Sequence, residues 1–244
     1  MQSSSDQAPG HPEIVRIVAP NPGPMTLEGT NTYVYGADPC TVIDTGSDDP
    51  GHLDAIRAAA EERAGIGLVL LTHSHGDHSK GADQLGAEVI LPKGGETHAG
   101  LRVLATPGHA ADHVCFLARG GVCFSGDLVL GLGSTIVPPD GGSLAAYMTS
   151  LRLLQEEEIE LICPGHGPWV TDPAAKLAEY VEHREMRERR LLAALEDGER
   201  SRADLLAKVW DDIPVELLPM AAMAMEAHLE KLEEEERLPG DLTA

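Results

Sequence analysis

The chain has 244 residues, of which 40 are acidic and 18 basic, so its formal net charge is −22. A chain this acidic is not broadly attracted to nucleic acid or to anionic membranes, and it lacks the long apolar run that a membrane-spanning helix requires. Its first residues lack the basic and then apolar order of a signal peptide. We therefore expect a cytoplasmic protein with no membrane partner, whose four cysteines stay reduced.

Residues 1–172 combine short apolar or β-branched runs with turns rich in glycine and proline. The helical spacing of apolar residues predicts helices over 52–63 and 144–155. Because many short strands are interspersed with few helices, this part is predicted to be a layered α/β domain with mixed sheets. The predicted strands are 13–18, 32–35, 41–43, 67–71, 88–91, 101–105, 113–117, 122–125 and 160–163.

Residues 173–244 are rich in glutamate and arginine and predict three helices, over 174–195, 202–210 and 219–235. We interpret them as a helical, winged-helix-like appendage, with a homodimer formed through these helices as a further hypothesis. The last helix offers no face that would read DNA, so no DNA partner is expected.

The arginines at 184, 187, 189 and 190 are predicted to be neutralised by the glutamates at 182, 185 and 188. His52 and His228 are predicted to lie at the surface.

The most informative stretch is the motif His73-x-His75-x-Asp77-His78, which directly follows an apolar run. In an extended segment, residues i and i+2 point the same way, so His73 and His75 can bind one metal ion. After the turn at Gly76, Asp77 and His78 can face a second ion. Four titratable groups within six residues are too much unpaired polarity for an ordinary turn. The motif therefore predicts a metal site.

Three later segments add candidate ligands, each just past a predicted strand and next to a glycine. They are Gly108-His109, Gly126-Asp127 and Gly165-His166. Loops at the ends of strands, held by a rigid sheet, are where such sites are commonly built. Each segment is a weak indication by itself, but together with the first motif they predict one shared site.

With these motifs the chain resembles the metallo-β-lactamase superfamily, whose pattern is HxHxDH followed by a His, an Asp and a His. The resemblance implies an αββα sandwich, formed by residues 1–172. It also implies that His73, His75 and His109 hold one metal and Asp77, His78 and His166 a second, with Asp127 bridging. Asp44, within the run Val-Ile-Asp-Thr-Gly, is similar to the carboxylate that orients metal ligands from behind in this family.

The ligand set predicts two zinc ions, because imidazoles with few carboxylates and no thiolates suit zinc better than iron or manganese. Flavodiiron-type relatives have a glutamate at the position of His75, which disfavours a di-iron centre. Two adjacent ions sharing a water lower its pKa and hold a bridging hydroxide, the predicted nucleophile of a hydrolase. Asp77 and Asp127 are the predicted catalytic residues. Asp127 is predicted to bridge the two metal ions and to position the hydroxide, and Asp77 to transfer the proton.

Residues 21–33, 106–113, 126–135 and 164–168 further resemble the β-lactamase-like protein 2 group. That resemblance implies cleavage of single-stranded RNA, whereas relatives with similar motifs cleave thioesters. Scarce aromatic residues and the negative charge weigh against RNA, since single strands bind basic grooves with stacking aromatics. Two hydrolase hypotheses therefore stay open, an endoribonuclease-like phosphodiesterase and an ester, thioester or lactone hydrolase. A non-catalytic, metal-stabilised scaffold is the third. Asn31, Thr32 and His113 are predicted to contact the substrate.

Overall fold

Two β-sheets lie face to face at the centre of the fold, in a computed structural model that describes residues 4–243. The first sheet has the strand order β1 to β6: Ser4–Ala8, His11–Val18, Asn31–Tyr35, Cys40–Ile43, Ile66–Leu70 and Glu88–Ile90. The second has the order β11-β10-β9-β8-β7, where β7 to β11 are Thr97–His98, Leu101–Ala105, Val114–Ala118, Val122–Gly126 and Leu161–Pro164. Pairs β4–β5, β5–β6 and β10–β11 are parallel and the others antiparallel.

Within the described residues, six α-helices accompany the sheets, α1 to α6: Pro50–Glu61, Gly76–Ser79, Leu144–Gln155, Pro173–Glu196, Arg202–Val209 and Leu218–Glu234. Short 3₁₀ helices cover Ala82–Leu85 and Val215–Leu217. Side-chain caps begin three of the long helices, as the sequence chemistry favours: Asp49 accepts from the backbone N–H of His52, Ser143 caps α3 and Asp172 caps α4.

Three apolar cores define the layers. Ile43, Leu70 and Phe116 are fully buried between the two sheets. A second core joins the outer face of the first sheet to α1, and a third joins the outer face of the second sheet to α3 and α4. The order helix, sheet, sheet, helix confirms the predicted αββα sandwich.

The predicted elements agree with the structure to within a few residues, and two strands, β1 and β7, were missed. Strand β7 has only two residues, which is too short for an alternating pattern to appear. Strand β1 has the sequence SSDQA, and only Ala8 in it is buried. An exposed polar edge strand carries no apolar alternation, so the sequence offered no signal for it. A cross-strand ion pair holds β1 against β2, because Arg16 donates to both carboxylate oxygens of its register partner Asp6, at 2.8 and 2.7 Å.

The C-terminal helices form a core of their own around Leu191, Leu205 and Leu229. The first half of α4 nevertheless packs into the sandwich core through Leu177 and Tyr180. The division into residues 1–172 and 173–244 therefore stays a prediction, as does the homodimer. None of the helices within residues 4–243 is long and apolar enough to cross a membrane.

The prediction that neighbouring glutamates neutralise the arginines of α4 is correct for Arg189, which contacts Glu182 at 2.5 Å. It is wrong for Arg187, which is buried and donates to both oxygens of Asp212, beyond α5. It is also wrong for Arg184, which is 4% exposed and contacts no carboxylate among the described residues. Tertiary packing supplied these partners, and helical spacing could not reveal them.

His52 and His228 are also not surface residues, because both are buried. His52 lies on the inner face of α1, where its Nε2 is 3.0 Å from Thr32 Oγ1. Burial lowers the pKa of His52 to about 4, although the nearby Asp49 raises it. The side chain is therefore neutral at physiological pH.

We expect His52 to make the fold less stable in mild acid. Its folded pKa of about 4 lies below the unfolded value of 6.5, so the unfolded chain binds the proton more tightly. Stability should fall as the pH drops from 6.5 to 4, by about 3 kcal/mol in total. Urea unfolding of the wild type and of His52→Gln measures the difference. The two stability curves should run parallel from pH 7.5 to 9 and converge below 6.5; parallel curves throughout would contradict the expectation.

Candidate metal centre

The candidate ligands lie in loops at one edge of the sandwich. His73 and His75 follow β5, His109 follows β8, Asp127 follows β10 and His166 follows β11. The parallel strands β10 and β11 present their carboxyl ends together, so Asp127 and His166 meet although 39 positions separate them in the chain. The fold thus brings all these loops to one place.

One group of three histidines shares a single focus. His75 Nδ1 lies 3.0 Å from His73 Nε2 and 2.9 Å from His109 Nε2. The ligand atoms of these three side chains all lie within 4.8 Å of one another. Of the three, His73 is fully buried at the floor of the site.

A second group lies beside the first and contains both candidate carboxylates. His166 Nε2 is 3.4 Å from Asp77 Oδ2 and 3.4 Å from Asp127 Oδ1. His78 Nε2 is also 3.4 Å from Asp127 Oδ1. The other oxygen of Asp127 is 3.5 Å from His109 Nε2, so the Asp127 carboxylate touches both groups.

In four of the histidines, Nδ1 forms a hydrogen bond on the side away from the site. These bonds show that the Nε2 lone pair of each ring points into the site. His78 Nδ1 donates to Asp44 Oδ2, and His109 Nδ1 donates to the carbonyl of Ile136, each at 2.7 Å. His166 Nδ1 donates to the carbonyl of Gly29 at 3.3 Å. The fourth, His73 Nδ1, donates to a threonine hydroxyl. Each Nε2 is then an acceptor in the neutral ring.

Several nitrogen and oxygen lone pairs converge in the site, and no hydrogen-bond donor among the described residues satisfies them all. Such an arrangement suits a cation. His78 Nε2 and Asp127 Oδ1 are both buried and have no hydrogen-bond partner, a costly state that protein interiors rarely leave unresolved. His75 can supply at most one proton to the two facing nitrogens. A donor set of five imidazoles and two carboxylates, with lone pairs aimed inward, therefore fits a pair of divalent metal ions.

The electrostatics of the second group also favour positive charge there. Burial opposes a charge on His166, but Asp127 and Asp77 raise its pKa to about 9. Burial likewise opposes the Asp127 carboxylate, yet His78 and His166 hold its pKa well below the ordinary value. In the first group, burial and the neighbouring His78 lower the pKa of His73. A bound cation would displace the proton at His166, because metal ligands must be deprotonated.

Asp44 holds histidines of both groups through hydrogen bonds on the side away from the site. One of these links runs through Thr72, which the sequence did not indicate as a site residue. Thr72 donates its backbone N–H to Asp44 Oδ1 and its hydroxyl to Asp44 Oδ2, both at 2.8 Å. Because that hydroxyl is already a donor, it accepts from His73 Nδ1 at 3.0 Å. Asp44 also accepts from His78 and so orients a histidine in each group. The available signal was the position of Thr72, directly before the motif and after a buried strand.

Gly165 allows the His166 loop to approach the cluster. A Cβ at this position would lie 2.4 Å from Asp127 Oδ1 and 2.8 Å from His78 Cε1, closer than packed atoms can be. A glycine next to this ligand is therefore a steric requirement of the site.

The three predicted substrate-binding side chains are all buried, and their contact with a substrate stays a prediction. Asn31 is 1% exposed and donates to the carbonyls of Pro164 and Gly167, which holds the His166 loop. Thr32 is fully buried against His52. His113 is also buried, and its Nε2 accepts from the backbone N–H of Asp127 at 3.1 Å. Asn31 and His113 therefore hold the loops that carry His166 and Asp127.

The loop between β10 and α3 links the site to α4. Thr135 donates its hydroxyl to the carbonyl of Asp127 at 2.7 Å, and Ile136 accepts from His109. From α4, the Arg184 guanidinium donates to the carbonyl of Thr135 and to Ser134 Oγ. A residue of the C-terminal region therefore holds the loop that supports two candidate ligands.

A sandwich of this kind, with a histidine and aspartate cluster at one edge, defines a metal-dependent hydrolase. Comparison with known proteins agrees, since the family model described as the metallo-β-lactamase superfamily matches residues 25–100 and 87–166. The β-lactamase associated winged helix domain matches residues 201–238. The chain belongs to the metallo-β-lactamase superfamily, and it carries a C-terminal winged-helix domain. The expected hydrolase class and the predicted winged-helix region are thereby confirmed.

Two curated relatives illustrate the range of the similarity. A β-lactamase-like protein 2 homolog of Drosophila melanogaster is 32% identical, over 92% of this chain and 89% of its own length, which agrees with the resemblance drawn from the motifs. An atrochrysone carboxyl ACP thioesterase of Aspergillus chevalieri is 36% identical, over 79% of this chain and 68% of its own length.

Solved structures show the same fold. A metallo-β-lactamase family protein of Thermus thermophilus superposes with a TM-score of 0.75 at 24% identity, covering 92% of this chain and 94% of its own. Another protein, solved in a di-iron-bound form, has a TM-score of 0.52 at 27% identity, over 67% of this chain and 95% of its own. Family membership implies a divalent metal, and this neighbour shows that related folds also hold iron.

Proposed function

We propose that this chain is a dinuclear zinc hydrolase that cleaves acyl thioesters with an apolar acyl group. The observation that carries the proposal is the apolar rim of the site. Leu132 is 63% exposed and Met25 is 50% exposed. Both belong to loops that meet at the residue after His166, because a Cβ on Gly167 would lie 3.1 Å from Leu132 N and 3.2 Å from Leu27 Cδ1. Apolar side chains exposed next to a ligand loop are available to contact an apolar acyl group.

The aromatic residues favour an acyl substrate over single-stranded RNA. None of the eight Phe, Trp and Tyr side chains is exposed, and six of them are fully or nearly fully buried. Bases of a single strand stack on accessible rings, which contribute roughly 1–3 kcal/mol per base. This chain offers no such platform, and its charge of −22 repels a phosphate backbone. The name of the Aspergillus relative, a thioesterase, supports the same choice.

The residues of the cluster fit the reaction. His73, His75 and His109 would hold one zinc ion and Asp77, His78 and His166 the other, with Asp127 between them. When bound, the metal pair would supply Lewis-acid polarisation of the scissile carbonyl and a water of lowered pKa as nucleophile. Asp77 would accept a proton at Oδ2: burial opposes its ionisation, but His166 and His78 keep its pKa below the ordinary value. The carboxylate is therefore available as a base at neutral pH.

The test measures hydrolysis by the zinc-loaded protein of N-acetylcysteamine thioesters with acyl chains of increasing length, with single-stranded RNA and a lactone in parallel. We expect kcat/KM for the thioesters to rise by up to about fourfold per methylene that the rim buries. Leu132→Asp should abolish that rise and leave acetyl thioester hydrolysis unchanged.

Val215→Asp is the matched control, because Val215 is 75% exposed and lies in the C-terminal region. It should keep the dependence on chain length. Faster cleavage of RNA than of any thioester would overturn the proposal in favour of the phosphodiesterase hypothesis. A flat dependence on chain length would show that the rim does not bind the acyl group.

A further inference from the structure

A cavity of about 480 Å³ lies between α3, α4 and α6, separate from the metal centre. None of its lining residues belongs to the histidine and aspartate cluster. Its apolar wall consists of Leu144 and Met148 from α3 and Leu192 from α4. A cavity of this size is within the range of small-molecule sites.

One end of the cavity contains buried polar groups without partners. His228 of α6 is 1% exposed, and neither of its ring nitrogens has a hydrogen-bond partner. Arg184 of α4 also lines the cavity, and its Nε is buried and unpartnered, although its Nη2 holds the loop behind the metal centre. Buried polar groups are nearly always satisfied in native proteins, so this pair indicates a missing hydrogen-bonding group.

The charge around the cavity is opposite in sign to that of the whole protein. Five of the 18 basic residues line it, with three carboxylates. The basic residues are Arg152, Arg184, Arg189, Lys231 and Arg237. Lys231 bridges Glu188 and Glu235, each at 2.7 Å, whereas Arg184 has no carboxylate partner among the described residues. An anion is therefore the ligand charge that the cavity fits best.

The imidazole of His228 can donate a hydrogen bond to such an anion. Burial lowers the pKa of His228 to about 3, and the cations of Arg184 and Lys231 act in the same direction. The ring is therefore neutral at physiological pH and offers one N–H donor. Arg184 Nε–H supplies a second donor, and it carries a permanent charge.

We propose that this interhelical cavity binds a small organic anion with an apolar body. Arg184 Nε and His228 hold its anionic group, and its body packs against Leu144 and Met148. The site is additional to the metal centre and does not depend on which bond the enzyme cleaves.

The test is calorimetric titration of the zinc-loaded full chain with phenylphosphonate, whose P–C bond the enzyme cannot hydrolyse. We expect saturable binding that is at least about tenfold weaker in His228→Phe. Inorganic phosphate lacks the apolar body and benzyl alcohol lacks the charge, so each should bind at least about tenfold more weakly than phenylphosphonate.

A second cavity variant keeps the test conclusive if His228→Phe does not fold. Thr149→Trp, on the exposed rim of the cavity, should block binding sterically, whereas the control Gln155→Trp on the same helix should not. Binding should also persist in Asp127→Asn, because Asp127 does not line the cavity. Loss of binding in Asp127→Asn, unchanged binding in both cavity variants, or no binding to the wild type would each overturn the proposal.

Discussion

Replacing Asp127 by asparagine should reduce hydrolysis by about a thousandfold. The Asp127 carboxylate is buried, its two oxygens face different groups of histidines at 3.4 and 3.5 Å, and Oδ1 has no protein donor among the described residues. An amide removes the negative charge between the two groups and turns an N–H₂ toward lone pairs. We therefore expect the bound metal to fall from two ions per chain toward one, measured by mass spectrometry of the purified protein beside kcat.

The matched control for this exchange is Asp140→Asn, because Asp140 is exposed on the loop before α3. It should leave both kcat and metal content unchanged. If Asp127→Asn retains full metal content and activity, Asp127 does not bridge the metals and the proposed mechanism is wrong.

Replacing Asp44 by alanine should damage both stability and metal binding. Asp44 is 2% exposed and accepts three hydrogen bonds of 2.7 to 2.8 Å, two from Thr72 and one from His78 Nδ1. Truncation leaves these donors buried without an acceptor, at a cost of about 3–5 kcal/mol in the free energy of unfolding. His78 also loses the contact that sets its orientation, so zinc affinity should fall about 10–100-fold.

Urea unfolding and zinc competition against a chromophoric chelator measure the two effects. Asp44→Asn is the informative comparison, because asparagine keeps the shape and tolerates the positive φ of 51° at this position. It retains one acceptor oxygen, so its losses should lie between those of the wild type and Asp44→Ala. An Asp44→Ala protein with wild-type stability and affinity would show that Asp44 does not orient His78.

The candidate metal ligands could be recognised from the spacing of residues within short segments of the sequence. His73, His75, Asp77 and His78 lie within six positions, and the period of an extended strand orients them before any tertiary contact exists. The ligand loops at 109, 127 and 166 were recognisable because each follows an apolar strand and adjoins a glycine. The same reasoning predicted nine of the eleven described strands. It failed for β1, which has no apolar alternation to recognise, and for β7, which has only two residues.

Side chains whose partners are far away in sequence were misjudged. Arg184 was predicted to be neutralised by neighbouring glutamates, yet it lies buried against a loop some 50 residues earlier. His228 was predicted at the surface, yet it is buried and lines the cavity between α3, α4 and α6. Asn31 holds the loop of His166 across 133 positions, a contact that the sequence did not indicate. No periodicity within one segment encodes contacts of this length.

The −22 charge excluded broad attraction to nucleic acid or membranes, and the motifs by themselves determined the superfamily and the candidate ligands. They did so because strand geometry and ligand chemistry act over a few neighbouring residues. Only the tertiary structure decided which imidazole nitrogens face the site, that the aromatic rings are buried and the apolar rim exposed, and that basic residues gather around one cavity. Those features depend on how distant segments pack, which fixes both burial and hydrogen-bond partners.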